Sequence, residues 1–204
     1  RVVREKVTLE AMDEEVHVRL GEEVHAFDAV VLSSGAWVKE LLEPIGYYVD
    51  VRPQKGQLIE LTLETTEETS KWPVCMLHGE IDILPFPDGK ILVGATHENT
   101  QGFDLVPDEE LLNGMYEEAC ASLPSLKNAK RSGVRVGTRA YTSDFLPFFG
   151  EVPNTTNAFV ASGLGSSGLA SGVWIGECLA RMAAGEEVGF SVEKYTPQNY
   201  VRKV

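Results

Sequence analysis

The sequence AFVASGLGSSG, residues 158–168, carries most of the information about the fold of this chain. Its apolar first half predicts a strand over residues 158–162, and a G-x-G-x-x-G pattern follows directly in residues 163–168. Residues 169–184 then predict a long helix that stops at Gly185. Such a turn offers backbone N–H groups and the positive end of a helix dipole to an anion or an electron-rich ring. The pattern predicts a ligand site here, with a glycine-rich turn that binds nothing as the alternative.

A second strand, glycine turn and helix stand near the start of the chain. The continuous apolar run of residues 29–32 predicts a strand that is buried on both faces. A Ser-Ser-Gly turn, residues 33–35, follows it, and residues 36–42 predict a short helix that Pro44 stops. Both ends of the chain therefore carry the order of elements that is typical of nucleotide-binding domains.

The middle of the chain has a different pattern. Apolar runs at residues 81–85 and 91–95 flank an Asp-Gly turn, which predicts a β-hairpin. Residues 107–123 predict an amphipathic helix. The residues of its apolar face are Leu112, Met115, Tyr116, Ala119, Cys120 and Leu123.

These patterns predict an α+β fold with two domains. Residues 1–50 and 137–204 would form one discontinuous domain of the α/β nucleotide-binding type. Residues 51–136 would form the other, a mostly antiparallel sheet with a long helix.

The composition excludes several classes of protein. The 204 residues include 18 Lys and Arg against 31 Asp and Glu, a formal charge of −13, which argues against binding to nucleic acid or to an anionic membrane. No uninterrupted apolar stretch is long enough to predict a transmembrane helix. Three cysteines far apart predict neither a disulfide framework nor a zinc site, and favour a reducing, cytoplasmic location. The four histidines lack the spacing of metal ligands, so no metal is predicted.

Arg139 is the first candidate for binding a substrate. It lies in the predicted strand of the sequence GTRAYTSDFLPFFG, residues 137–150. A guanidinium group binds a carboxylate through two parallel hydrogen bonds, so Arg139 is a candidate ligand of a substrate carboxylate. The alternative is a structural ion pair with Asp144 or another acid. His97, just after a predicted strand, is a candidate to line a pocket.

Small residues continue into the last helix. Gly168, Gly172, Gly176 and Ala180 recur every four positions and leave one helix face nearly bare. Because glycine weakens a helix, something should compensate for it. For Gly172 and Gly176 we expect tight packing of the helix against the sheet.

Taken together, five motifs resemble the glycine oxidase and D-amino acid oxidase/dehydrogenase family of FAD enzymes. They occur in family-like order and spacing over nearly all of the chain. The motifs are DAVVLSSGAW (28–37), VRPQKGQ (51–57), GKILVGAT (89–96), the arginine segment (137–150) and GLGSSG (163–168). The family's N-terminal strand, glycine loop and helix, which hold the FAD pyrophosphate, are not among the 204 residues. The resemblance therefore implies the C-terminal part of a larger flavoprotein, and the start at Arg1 agrees with a processed or truncated chain.

The resemblance also implies FAD as cofactor and a role for each matching position. Lys6 and Val7 would lie by the adenine. Ser34, Gly35 and Trp37 would lie along the ribose and pyrophosphate. The residues that would run past the isoalloxazine ring are Gly163, Gly165, Ser166, Ser167, Gly168 and Leu169.

The implied substrate is an amino acid or a related amine. Arg139 matches the family arginine that binds the substrate carboxylate, and the implied chemistry is hydride transfer from the α-carbon to flavin N5, followed by hydrolysis of the imino acid. Asp82 stands where glycine oxidases have a pocket tyrosine, and with His97 it predicts a more polar pocket, suited to an amine or a basic side chain. The family's arginine motif continues with Pro and ends in Asp-Gly, whereas here Ala140 and Asp144-Phe145 occur.

Two other functions remain open on the sequence. One is a complete, non-catalytic module that binds an anion or nucleotide at the helix start of residues 163–168. The other is an NAD(P)-dependent enzyme with an unusual order of elements. If the flavoprotein interpretation is correct, we expect the 204 residues alone to be inactive and to bind FAD weakly, because half of the cofactor site would be missing.

Overall fold

The computed structural model describes residues 1–77, 79 and 81–204. Within these residues the α-helices are α1 (Val38–Leu42), α2 (Glu109–Ser122) and α3 (Gly168–Ala183). The strands are β1 (Val7–Met12), β2 (Glu15–Leu20), β3 (Glu23–His25), β4 (Val30–Leu32), β5 (Tyr47–Val49), β6 (Arg52–Thr62), β7 (Cys75–Met76), β8 (Asp82–Pro85), β9 (Lys90–Gly94), β10 (Lys130–Tyr141), β11 (Phe148–Glu151), β12 (Ala158–Ser162) and β13 (Val201–Lys203).

The chain divides into two compact units. The first contains residues 1–53 and 139–204, and the second contains residues 54–138. Strands and helices occur in both, so the α+β class predicted from the sequence is confirmed. The assignment of residues 1–50 and 137–204 to an FAD-binding domain, and of 51–136 to a substrate-binding domain, stays a prediction.

The first unit holds the two strand–glycine–helix segments side by side. Strands β11, β12 and β4 form one sheet in that order, and β12 runs parallel to β4, with Val160 opposite Leu32. Helix α3 packs on β11 and β12 through a core that includes Ile175, Leu179 and Phe159. The other face of this sheet belongs to a larger core built with strands β1, β2 and β5 and helix α1.

Strand β4 is less buried than its sequence predicts. Val30 and Leu32 are buried, but Val31 is 46% exposed. The prediction of burial on both faces is therefore wrong for these 204 residues. The physical reason is that, within the described ranges, β4 is the edge strand of its sheet, and α3 packs mainly on β11 and β12.

The second unit is an antiparallel hairpin sheet packed on one helix. The strand order is β10-β6-β9-β8-β7, and the predicted hairpin is formed by β8 and β9, in which Asp82 pairs with Gly94. Helix α2 buries Leu112, Met115, Ala119 and Cys120 against this sheet, on the face that its periodicity predicts. It begins two residues later than predicted, since Asp108 is its N-cap and accepts hydrogen bonds from two backbone N–H groups of the first turn.

In the part of the chain that the structure describes, every helix is too short or too polar to cross a membrane.

Candidate functional site

Two glycine segments meet at the carboxyl ends of adjacent parallel strands. Strand β4 leads to Gly35, with φ of 57°, and β12 leads to Gly163 and Gly165, with φ of 73° and 53°. Each segment continues through a 3-10 turn into a helix, α1 or α3. The hydroxyl of Ser162 donates a hydrogen bond of 2.8 Å to the carbonyl of Gly35, which joins the two segments. Ligands of parallel sheets bind outside this edge, so the geometry makes one candidate site from both segments.

The first segment has open space and an unused polar group. A Cβ atom built on Gly35 would meet nothing within 4 Å. The buried hydroxyl of Ser34 has no hydrogen-bond partner among the described residues. Buried hydroxyl groups are nearly always paired, so this orphaned oxygen indicates a polar ligand at the turn. The sequence of the segment, SSGAW, contains no acidic side chain that would repel an anion.

The second segment presents the start of a long helix. Ser167, the N-cap of α3, makes no capping hydrogen bond with its side chain, and the first turn contains no acid. Instead the Ser167 hydroxyl donates to the carbonyl of Leu164 at 2.8 Å. Ser166 is exposed, and Leu169 is completely so. The Ser167 side chain therefore does not cap the first N–H groups of α3, and the helix dipole favours negative charge in front of them.

Arg139 lies at the end of β10, next to the second segment. The carbonyl oxygen of its neighbour Ala140 is 3.9 Å from a Cβ built on Gly165. Arg139 is half-buried, and this burial lowers the pKa of its guanidinium group below the ordinary value. A partly desolvated guanidinium group that stays charged is well suited to bind a carboxylate.

The Asp144 carboxylate, the alternative structural partner of Arg139, is bound by its own loop and by Tyr200. Its oxygens accept hydrogen bonds from the N–H of Leu146 at 3.1 Å and from the hydroxyl of Tyr200 at 2.9 Å. The hydroxyl of Thr142 lies 3.0 Å from the same carboxylate. Although partial burial acts to raise the pKa of Asp144, these hydrogen bonds lower it below its usual value.

Residues 142–147 support the second glycine segment, a role that the sequence did not indicate. A Cβ on Gly163 would lie 2.8 Å from Cγ2 of Thr142 and 3.1 Å from the carbonyl oxygen of Leu146. Tyr200, which helps to hold this loop, is only 6% exposed. The one available signal was Asp144-Phe145 in place of the family's Asp-Gly, because a glycine often marks a left-handed turn. Phe145 does adopt that conformation, with φ of 63°.

Asp82 and His97 belong to the second unit and lie in different surroundings there. Asp82 alternates along β8 with the buried Ile83, so its side chain points away from the core beneath α2. His97 is exposed and lines an open cavity of about 420 Å³ together with residues of α2. Ile81 borders that cavity, whereas Asp82 is not among the described residues that line it.

The remaining predicted site residues, Lys6, Val7 and Trp37, lie in the first unit. Lys6 is exposed, and Val7 begins strand β1 opposite Leu20. Trp37 ends the 3-10 turn after Gly35 and is partly exposed. In the described ranges, no group of three His, Cys, Asp or Glu side chains could hold a metal ion.

The glycine row of α3 does not pack against the sheet. A Cβ on Gly172 would touch only the end of Leu164, and one on Gly176 would meet nothing within 4 Å. Leu169 and Val173 on the same helix are 100% and 85% exposed. The expectation of tight helix–sheet packing at Gly172 and Gly176 is therefore wrong, because α3 contacts the sheet through the neighbouring helix face, which carries Ile175, Cys178 and Leu179.

A family model and several known proteins match most of this chain. The family model described as DAO, FAD dependent oxidoreductase, matches residues 2–182. The uncharacterized oxidoreductase YurR of Bacillus subtilis (strain 168) is 38% identical over 175 residues, which are 84% of this chain and 46% of that protein. A glycine oxidase of Pseudomonas aeruginosa is 30% identical over 170 residues, covering 83% of this chain and 45% of the enzyme.

A solved structure agrees with the fold. The crystal structure of iminodiacetate oxidase (IdaA) from Chelativorans sp. BNC1 superposes with a TM-score of 0.90 at 31% identity, over 96% of this chain and 53% of that one. The chain thus spans about half the length of the curated relatives it matches.

Proposed function

Because this chain belongs to the DAO family of FAD-dependent oxidoreductases, we propose that it is the C-terminal part of an enzyme that oxidises the Cα–N bond of an amino acid or a related amine. The observation that carries the proposal is the meeting of two glycine segments at adjacent parallel strand ends, with the end of β10, which bears Arg139, against the second of them. This arrangement would let a large anionic ligand and a substrate carboxylate bind next to one another.

The residues of the first unit fit FAD. The orphaned hydroxyl of Ser34 and the open space over Gly35 suit a ribose or pyrophosphate oxygen. Gly163, Gly165 and the uncapped start of α3 suit the negative edge of a flavin ring. When bound, FAD supplies the acceptor for a hydride. Lys6 and Val7 are assigned to the adenine by the resemblance alone.

Arg139 would orient the substrate. Its charged fork would bind the carboxylate through two hydrogen bonds and so fix the α-carbon with respect to the glycine segments. Relatives agree with such a substrate by their names, since glycine and iminodiacetate both carry a carboxylate one carbon from the nitrogen. The substrate nitrogen can lose its proton to water before the reaction, so the chemistry demands no acid–base residue of this chain.

Asp82 and His97 are proposed to modulate the choice of substrate. Asp82 replaces the tyrosine expected from the resemblance, and its carboxylate would favour an amine or a basic group. His97 lines an open cavity in the second unit beside Glu98, Glu110 and Glu118, which gives that cavity an acidic border. An Asp82→Asn variant should change the relative activity across substrates, and an unchanged ranking would remove Asp82 from the proposal.

We also propose that the 204 residues alone are inactive. In the part of the chain that the structure describes, β4 has an unpaired edge and exposes Val31, while α3 exposes Leu169 and Val173. Exposed edges and apolar faces of this kind are normally covered by further structure. A protein of the relatives' length would have the additional residues to cover them and to complete the cofactor site.

The test compares Arg139→Leu with Arg135→Leu in the full-length gene product. Arg135 lies on the same strand but is exposed and paired with Glu60, so it is a matched control. Hydrogen bonds to charged groups contribute about 1.5–3 kcal/mol. We therefore expect Arg139→Leu to raise KM for an amino acid about 10- to 100-fold. KM for the corresponding amine, which lacks the carboxylate, should stay the same. Equal KM values for the amino acid in both variants would contradict the role of Arg139.

A further inference from the structure

Phe145 is a large apolar residue held where the backbone favours glycine. Its φ of 63° is left-handed, and its side chain is 68% exposed. A bulky residue in this region is strained, and burial of the ring does not compensate for the strain because most of the ring is in solvent. Strained residues that persist are often held for function, which makes the surroundings of the Phe145 ring a candidate functional surface.

The surrounding loop imposes this conformation. Asp144, immediately before Phe145, is fixed by Tyr200 and by the N–H of Leu146, and the N–H of Phe145 itself donates to the carbonyl of Thr142 at 3.2 Å. Tyr200 is in turn stacked on Phe148 with ring centroids 5.0 Å apart. The position of Phe145 is therefore set by a network that does not include its own ring.

The ring lies on the same side of β10 as Arg139. Side chains two residues apart on a strand point to the same face, so Tyr141 neighbours Arg139 on that face. The ring of Phe145 is stacked on Tyr141, with centroids 5.5 Å apart and planes inclined by 15°. The Arg139 side chain and the two stacked rings therefore share one face at the end of the strand, which we call the strip, and Phe145 is its exposed ring because Tyr141 is only 9% exposed.

This strip borders the second glycine segment. The Ala140 carbonyl, between Arg139 and Tyr141, faces Gly165, and Thr142 is in contact with Gly163. A molecule whose carboxylate is bound by Arg139 would therefore extend along the strip towards Phe145, beside the helix start of α3.

We propose that Phe145 determines substrate specificity, and that with Tyr141 it forms an aromatic wall for the apolar or aromatic part of the substrate whose carboxylate Arg139 binds. This inference rests on the proposed function. It specifies a substrate class, amino acids or secondary amines with an aromatic or branched apolar group. Aromatic rings prefer such partners because stacked and edge-on contacts add to the burial of apolar surface.

The test uses the full-length gene product and the variants Phe145→Gly and Phe145→Tyr. Glycine accepts a positive φ, so Phe145→Gly removes the ring without removing the turn. The substrates are glycine and both enantiomers of phenylalanine, and the measured quantity is the ratio of kcat/KM for phenylalanine to that for glycine. We expect Phe145→Gly to lower this ratio at least tenfold, mainly through KM, and Phe145→Tyr to restore it. Phe27→Ala, which removes another exposed ring of the same unit, should leave the ratio unchanged.

The failures of the two proposals can be told apart. If the wild-type protein oxidises these substrates but Phe145→Gly keeps the wild-type ratio, or loses both activities equally, the specificity role is overturned and the proposed function is not. Weaker subunit association in Phe145→Gly with an unchanged ratio would instead assign the ring to a protein contact. A wild-type protein that oxidises no amine at all would overturn the proposed function, and this inference with it.

Discussion

Gly163 and Gly165 are separated by one residue, yet they require glycine for different reasons. Both have a positive φ, which an L side chain rarely adopts. Gly163 is also in close contact with the loop of Thr142 and Leu146, whereas the space around Gly165 is almost open. The first glycine therefore supports the packing of the site, and the second leaves room for a ligand.

Alanine substitutions should separate these two roles. Gly165→Ala adds only the backbone strain, about 1–2 kcal/mol. Gly163→Ala adds strain and a close contact, and should lower the free energy of unfolding by about 2–4 kcal/mol. Urea unfolding of the 204-residue chain measures both values. Equal destabilisation by the two substitutions would contradict the packing of residues 142–147 on Gly163.

Tyr200 gives this loop a measurable pH dependence. Burial, and then the hydrogen bond to Asp144 and the charges of Asp144 and Asp50, raise the pKa of Tyr200 to about 12. An unfolded tyrosine has a pKa near 10. The neutral form is therefore favoured by folding, and the stability that Tyr200 contributes is present below about pH 10 and lost as the pH rises towards about 12.

A Tyr200→Phe variant tests this dependence. It should be less stable than the wild type at pH 8 by about 1.5–3 kcal/mol, the usual contribution of a hydrogen bond to a charged group. The difference in the free energy of unfolding should then shrink above about pH 10. A difference that stays constant from pH 8 to pH 12 would be inconsistent with the bond between Tyr200 and Asp144.

At the scale of elements, helices and strands with a periodic pattern could be predicted from the sequence. Contacts between residues that are distant in the sequence could not. The apolar face of α2 and the β8–β9 hairpin follow from spacing within one segment. The exposure of Val31 could not be predicted, because an apolar run does not tell how many layers cover it. Asp144 and Tyr200 are 56 residues apart and match no local pattern, so the support of the glycine segment was missed. The candidate site residues were identified from the order of the five motifs in the sequence, and their roles stay predictions.

Helix α3 provides a test at this scale. Gly176 lies in the helix interior, and a Cβ there would meet nothing within 4 Å. Gly176→Ala should therefore stabilise the 204-residue chain by about 0.5–1 kcal/mol, the difference between the two residues in a helix. Thermal unfolding followed by circular dichroism would measure the rise in Tm. A fall in Tm would mean that this face of α3 is covered in solution.

At the scale of the whole molecule, each unit has its own buried core, and the first unit also exposes a strand edge and an apolar helix face. Strand β4, an edge strand among the described residues, and the exposed apolar side chains of α3 lie in the unit that carries the proposed cofactor residues. We therefore expect FAD to bind weakly to the 204 residues and tightly to the full-length gene product. Quenching of flavin fluorescence would measure both affinities, and tight binding by the 204 residues would contradict the proposed division of the site.

The most direct test of the central claim is reduction of bound flavin by amines in the full-length gene product. The purified protein would be mixed anaerobically with amino acids and related secondary amines while the visible flavin absorption is recorded. We predict that FAD copurifies with the protein, that at least one of these compounds bleaches its absorption, and that Arg139→Leu requires more of that compound. A protein without flavin, or a bound flavin that no amine bleaches, would contradict the account.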